Sequence, residues 1–320
     1  MSTEGGKKAV VAALGANLGI AAAKFVAFAI TGSSSMLSEA IHSVADSANQ
    51  VLLLIGGHRS KRGPDQTHQF GYGRLRYVYG FVVAIILFLI GGLFSLNEGI
   101  HKLQHKEDLH DLGVAVAVLL VAIALESFSF RTAIKEANKA RGKRSLPGFV
   151  RNVRQPELPV IMLEDFGALI GLMFALFGVG MSAITGDSRW DAVGAIAVGS
   201  LLLVIAVFLG FEMSSMLVGE SALPEEQAAI EAALAASPVV NSVIHLRTLH
   251  AGPDEILVAA KIAIDNDDTG EAIAEGIDQA EAAIRQAVPT ATYIFIEPDL
   301  RRPAVDGGSG GDTSGAQPES

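Results

Sequence analysis

Residues 35–55 of the chain read Ser35-Met-Leu-Ser-Glu-Ala-Ile-His-Ser-Val-Ala-Asp-Ser-Ala-Asn-Gln-Val-Leu-Leu-Leu-Ile55. The run is apolar and long enough to cross a bilayer as a helix, yet it contains His42 and Asp46, which lie four residues apart and therefore share one helix face. An ionisable group at bilayer depth costs about 2.5 to 3.5 kcal/mol on insertion scales, so such groups pair, bind ions or relay protons. The stretch therefore predicts a polar site inside a membrane-spanning helix.

The composition places the whole chain in the membrane class. Half of its 320 residues are hydrophobic and only 18% are charged, and a soluble domain of this size is less apolar. The formal net charge of −10 argues against nucleic acid as a partner, because phosphate binding needs basic patches. There is no cysteine, so imidazole and carboxylate groups are the strong metal ligands that the chain offers.

Six apolar segments are long enough to span the roughly 30 Å of a bilayer core as helices. They run approximately over Val10–Thr31, Ser35–Gly57, Val78–Leu96, Leu112–Phe130, Leu158–Ile184 and Ala192–Phe211. The N-terminus and the loops after spans two and four carry 15 Lys or Arg, whereas the loops on the other side carry three. The excess of positive charge predicts that both termini are cytoplasmic.

The chain after the sixth span has the pattern of a small soluble domain. Proline and acid open a helix at Pro224–Ala236, and a turn at His250–Asp254 joins two β-like runs, Ser242–Leu249 and Glu255–Ile264. A second helix is predicted at Thr269–Ala287 and a last strand at Thr292–Glu297. This order, α-β-β-α-β, is typical of a compact two-layer α+β domain.

The predicted domains are therefore a six-helix transmembrane domain at residues 1–215, a cytoplasmic α+β domain at 216–300 and a disordered tail at 301–320. The tail is dominated by Gly, Ser, Asp and Pro and cannot bury a core.

The fifth apolar segment contains two adjacent acids, Glu164 and Asp165. If spans two and five pack together, His42, Asp46 and Asp165 converge and supply one imidazole and two carboxylates, a set that suits a divalent cation of the zinc type. The fourth ligand would be Glu164, Glu39 or water. The alternative is that these groups only form hydrogen bonds within and between helices.

Glu126 is expected to line the site or form a salt bridge, and Lys24 to snorkel outward.

These motifs resemble those of the cation diffusion facilitator family, especially the branch that includes the mitochondrial zinc transporter of animals. The resemblance rests on Met36–Gln50, on Leu163–Leu169, on the loop Asp65–Gly73 and on the α-β-β-α-β order. It implies six transmembrane helices with a ferredoxin-like cytoplasmic domain, and a homodimer that exchanges a divalent cation, most often zinc, for protons by alternating access. The transport site it implies falls on His42, Asp46 and Asp165.

The sequence departs from the family pattern at three places. The family's fourth ligand position, four residues before Asp165, is occupied by Ile161, which raises the standing of Glu164 and Glu39. In the loop after span two, Asp65 and His68 match metal-binding positions, but Tyr72 replaces a histidine. The metal positions of the cytoplasmic domain are Ile244, Ala260 and Phe295, with an acid only at Glu297. That domain is therefore expected to serve dimerisation rather than metal binding.

Three other hypotheses stay open. A site richer in oxygen than in nitrogen would favour Mn²⁺, Fe²⁺ or Co²⁺ over zinc. A membrane-anchored module that binds metal or a partner would leave the intramembrane charges unexplained. An intramembrane enzyme is not supported by any catalytic motif, so we expect no catalytic residues and no cofactor besides the transported cation. Without an evident transit peptide, the expected location is the cell membrane.

Overall fold

Most of the chain is helical in a computed structural model that describes residues 3–31, 34–105, 112–141, 145–152 and 154–300. The predicted tail at 301–320 lies outside the described residues. The helices are α1 (Thr3–Thr31), α2 (Ser34–Arg59), α3 (Leu75–Ile86), α4 (Ser95–Gln104), α5 (Leu112–Ala140), α6 (Leu146–Asn152), α7 (Glu157–Thr185), α8 (Arg189–Val218), α9 (Pro224–Ala235) and α10 (Gly270–Ala287). The strands are β1 (Ser242–Gly252), β2 (Glu255–Ile264) and β3 (Ala291–Leu300).

Two compact units make up the described chain. The first contains the residues up to Leu223 together with Leu249–Ile256, and the second contains Pro224–Thr248 and the residues from Leu257 onward.

In the described residues of the first unit, four helical stretches are long and apolar enough to cross a membrane. They are Leu75–Gln104, Gly113–Lys139, Glu157–Thr185 and Arg189–Val218. The first two predicted spans are helical as well, since α1 has 29 residues and α2 has 26.

The helices of this unit pack closely where they carry small residues. A Cβ atom at Gly178 would lie 2.8 Å from the carbonyl oxygen of Trp190, and one at Gly194 would lie 2.9 Å from that of Phe174. These glycines let α7 and α8 approach each other backbone to backbone, as small residues do between membrane helices. Large apolar side chains such as Phe128, Val204 and Phe211 are 63%, 68% and 74% exposed, and an apolar outer surface of this kind fits a lipid environment.

The third span is not a uniform α-helix. Between α3 and α4 the backbone forms a π-helical segment, Leu87–Phe94, so that the three pieces make one continuous rod of 30 residues. A π-helical turn is rare and often marks a functional site. The sequence predicted a helix at Val78–Leu96 but carries no signal for this local change of winding.

The second unit has the predicted order of elements, and its three strands form one sheet in the order β1-β2-β3. Its core is built from apolar side chains of both helices and of β2, namely Ile230, Leu234, Ile262 and Ile284. The Oγ1 atom of Thr269 accepts a hydrogen bond from the backbone N–H of Ala272 at 3.2 Å and caps α10.

The predicted end of β1 at Leu249 was wrong. The strand continues through His250 to Gly252 and leaves only Pro253 and Asp254 for the turn. The backbone N–H of His250 donates to the carbonyl oxygen of Glu220 at 2.9 Å. Sequence reasoning underestimated the strand because the pattern His-Ala-Gly-Pro-Asp has the composition of a longer turn.

Candidate functional site

A cavity of about 80 Å³ lies within the helical unit and carries charged groups from four helices. The charged residues that line it are Lys24 of α1, Asp46 of α2, Glu126 of α5 and Glu164 of α7. The other walls are mostly apolar and include Leu87 and Leu202. The space exceeds that of a single water molecule.

Asp46 lies where the sequence predicted a polar site. Its side chain lines the cavity together with Ser43, which precedes it by about one helical turn. The remaining members of this stretch with described side chains include Ser47, Asn49 and Gln50, which are all buried. The polar stripe of α2 therefore faces the interior of the helical unit.

The Glu164 carboxylate is held by two amide groups of α2. Asn49 donates from Nδ2 to Oε1 at 2.9 Å, and Gln50 donates from Nε2 to Oε2 at 3.0 Å. Asn17 of α1 in turn donates from Nδ2 to Oε1 of Gln50 at 3.1 Å. Glu164 lines the same cavity as Asp46 and does so from a regular helix.

The adjacent acid, Asp165, has a different partner. Its side chain is 2% exposed and its Oδ2 atom accepts a hydrogen bond from the hydroxyl of Ser129 on α5 at 2.7 Å. Neighbouring residues of an α-helix point about 100° apart, so Glu164 faces α2 while Asp165 faces α5. Sequence reasoning did not identify Ser129, because a serine in an apolar helix has no signal of its own.

Glu126 and Lys24 are two further charged groups of the cavity. Glu126 is 5% exposed, and no described residue forms a hydrogen bond with its Oε2 atom. It interacts electrostatically with Asp165, Asp46 and Lys24. Glu126 lines the cavity, and its expected role at a cation site stays a prediction. The expectation that Lys24 snorkels outward was wrong, since Lys24 is 5% exposed and lines the cavity.

The described side chains do not by themselves complete a metal site. Among them, no group of three or more His, Asp or Glu is arranged to hold a metal ion. Glu39 and His42 belong to α2, but their side chains lie outside the described part of the structure. The predicted metal ligands His42, Asp46, Asp165, Glu164 and Glu39 therefore stay a prediction. Ile161 is fully buried among apolar neighbours.

In the loop after α2, the acidic side chain forms hydrogen bonds with other residues of the same loop. The hydroxyl of Tyr72 donates to Oδ2 of Asp65 at 2.7 Å, and the guanidinium of Arg62 pairs with the same oxygen at 3.1 Å. The backbone N–H groups of Thr67 and His68 donate to Oδ1. The hydrogen bond from Tyr72, with the help of these donors, lowers the pKa of Asp65 to about 2. The geometry is that of a turn organised around one carboxylate.

A buried ion-pair cluster lies at the start of α3 and α7. The guanidinium of Arg76 binds Glu157 through two hydrogen bonds of 2.5 and 2.6 Å. A third bond, of 3.2 Å, joins Arg76 to Asp254 in the β1–β2 turn, and Gln155 donates to the other oxygen of Asp254 at 3.1 Å. Nearby, Glu255 has a raised pKa because it is partly desolvated. Sequence reasoning counted Arg76 only as loop charge and missed this cluster.

In the second unit, the positions that match the family's metal ligands are not equipped for metal. Ile244 and Phe295 are exposed apolar side chains, and Ala260 is buried. The one acid, Glu297, pairs with Nζ of Lys261 at 3.1 Å.

The structure thus combines a bundle of apolar helices around a small carboxylate-lined cavity with a following α-β-β-α-β unit. The model of the cation efflux transmembrane domain matches residues 10–218, and that of the cytoplasmic domain of cation efflux proteins matches residues 222–299. The chain therefore belongs to the cation efflux family, whose members are transporters.

Pairwise sequence comparison also finds similarity to known members of the family. The human "proton-coupled zinc antiporter SLC30A9, mitochondrial" is 32% identical over 244 residues, which are 76% of this chain and 43% of that protein. The "cation-efflux pump FieF" of Serratia proteamaculans is 26% identical over 265 residues, which are 80% of this chain and 81% of the pump. The chain thus spans less than half the length of the mitochondrial antiporters.

Among solved structures, a variant of the domain named MamM-CTD is 28% identical with a TM-score of 0.23, covering 24% of this chain and 92% of that domain.

Proposed function

We propose that this transporter exports a divalent metal cation, with zinc as the first candidate, in exchange for protons and by alternating access. The observation that carries the proposal is the cavity between the apolar helices, into which Asp46, Glu126 and Glu164 bring three carboxylates. Acids at this depth are costly unless a cation offsets them. A transported divalent cation meets that requirement and accounts for the charge.

The residues proposed to bind the cation are His42 and Asp46 of α2 and Asp165 of α7. Glu164, Glu39 or a water molecule would supply the fourth ligand, because Ile161 cannot coordinate. Zinc takes imidazole nitrogen and carboxylate oxygen in tetrahedral geometry, so the proposed set satisfies it. Ser129, Asn49 and Gln50 hold the two acids of α7 through the hydrogen bonds described above, as outer groups commonly do around metal sites.

Proton exchange follows from the ligand chemistry. A carboxylate or imidazole must be deprotonated to bind metal, so metal binding releases protons and metal release allows them to return. Imidazole changes charge near neutral pH, which suits His42 to this role. The name of the human relative describes it as a proton-coupled zinc antiporter, and we extend that coupling to this chain as part of the proposal.

For the topology we propose six spans with both termini in the cytoplasm. Helices α1 and α2, with 29 and 26 residues, exceed the roughly 20 residues that a span requires, and the distribution of Lys and Arg supports the orientation. We place the protein in the cell membrane, with the mitochondrial location in the name of the human relative as the alternative.

We also propose a homodimer that forms through the cytoplasmic domain. The exposed apolar side chains of Ile244 and Phe295 in that domain support this assembly.

A second candidate cargo is Mn²⁺, Fe²⁺ or Co²⁺. The described side chains of the cavity that can coordinate a metal all do so through oxygen. Sites dominated by carboxylate favour harder cations than zinc.

The test is metal flux into proteoliposomes under an imposed pH gradient, with Zn²⁺, Mn²⁺, Co²⁺ and Fe²⁺ compared side by side. We expect flux of one metal that follows the gradient and falls to background in Asp46→Ala and in Asp165→Ala. Asp278→Ala, which removes an exposed acid of α10, is the matched control and should transport normally. Flux that does not depend on either buried acid would contradict the proposed site.

A further inference from the structure

Lys24 places a positive charge inside the cavity that is proposed to hold the cargo. Its side chain is 5% exposed and lines the cavity together with Asp46, Glu126 and Glu164. Glu126 interacts with Lys24 electrostatically, and one oxygen of that carboxylate has no hydrogen-bond partner among the described residues. A lysine that only anchored α1 would extend toward the membrane surface, so its burial here requires another reason.

Burying an ammonium group is expensive unless negative charge surrounds it. The described charged groups that face this region come from every helix packed on α1. They are Asp46 on α2, Glu126 on α5, and Glu164 and Asp165 on α7. These acids repel one another, and Lys24 is the basic residue among the described residues that line the cavity. Its charge and the charge of a metal cargo therefore offset the same carboxylates.

We propose that the Lys24 ammonium is a built-in counter-cation, which neutralises the cavity when the cargo is absent and moves aside when a divalent cation binds. A protonated lysine has no lone pair with which to coordinate metal, so it competes with the cargo instead of assisting it. The long, flexible lysine stem permits such a displacement. Lys24 thereby weakens cation binding and promotes release. This inference rests on the proposed function of the cavity.

The competition predicts effects of opposite sign for two substitutions in the same cavity. Lys24→Met removes the competing charge and should tighten zinc binding about tenfold, the scale of one incompletely screened charge interaction. Glu126→Gln removes a carboxylate and leaves Lys24 in place, so binding should weaken about tenfold. In the double variant the two changes offset each other, and affinity should return to within about threefold of the parent.

The experiment is equilibrium binding of ⁶⁵Zn²⁺ to the purified full-length protein, with proteoliposome flux measured in parallel. Lys24→Met should show tighter binding and slower turnover. Lys102→Met is the matched control, since it removes another lysine with a largely shielded side chain, which pairs with Asp191 at 3.1 Å and does not line the cavity. Lys24→Gln provides a second neutral variant in case the methionine variant does not yield folded protein.

Two results would overturn the inference. If Lys24→Met leaves affinity unchanged, the lysine does not compete with the cargo. If it weakens binding and the double variant is weaker still, the lysine supports the structure of the site. Failure of the proposed function itself is distinguishable, because Asp46→Ala would then bind and transport zinc like the parent.

Discussion

At the scale of single residues, two adjacent acids of one helix have different partners. Glu164 accepts hydrogen bonds from Asn49 and Gln50 on α2, whereas Asp165 accepts one from Ser129 on α5. The acids themselves could be predicted from the sequence, because charge in an apolar segment is conspicuous. The donor to Asp165, Ser129, could not, since serine occurs in membrane helices for many packing reasons.

Ser129 offers the most specific residue-scale prediction. A hydrogen bond to a charged acceptor contributes about 1.5 to 3 kcal/mol, so Ser129→Ala should leave Asp165 less well oriented and raise the apparent KM for zinc flux about tenfold. Ser127→Ala changes an exposed serine of the same helix and should leave the KM unchanged. Equal values for the two variants would show that the Ser129 contact does not contribute to the site.

At the scale of elements, hydrophobic patterning located the helices well and their irregularities poorly. The predicted fifth span, Leu158–Ile184, lies within one residue of the ends of α7. The π-helical segment Leu87–Phe94 could not be foreseen, because it contains no proline that would break the helix. The buried pair Arg76–Glu157 was also missed, since its partners are 81 residues apart in sequence.

That ion pair predicts a large effect on stability. Removing one partner of a buried salt bridge leaves the other charge buried without a partner and costs about 3 to 5 kcal/mol. Arg76→Met should therefore strongly lower the temperature at which the purified protein unfolds in detergent. Arg62→Met, at a side chain that is 67% exposed, should cost less than about 1 kcal/mol. If the two variants unfold at the same temperature, Arg76–Glu157 does not hold the starts of α3 and α7 together.

At the scale of the whole molecule, the sequence predicted that the chain consists of a part made of apolar helices and a small α+β unit. Both parts match models of the cation efflux family. What the sequence left open is how the buried charges are balanced. Five charged residues lie around one interior region, namely Asp46, Glu126, Glu164, Asp165 and Lys24. Their combined charge cannot be read from the sequence, because the packing of four helices brings them together. On the proposed function, this excess of negative charge draws a divalent cation into the membrane interior.

The most direct test of this account is X-ray absorption spectroscopy at the zinc edge on the zinc-loaded protein and on Asp46→Ala. The account predicts a first shell of nitrogen and oxygen with the multiple scattering of one imidazole, and loss of bound zinc in the variant. A first shell that persists unchanged in Asp46→Ala would contradict the central claim that the cation binds between α2 and α7.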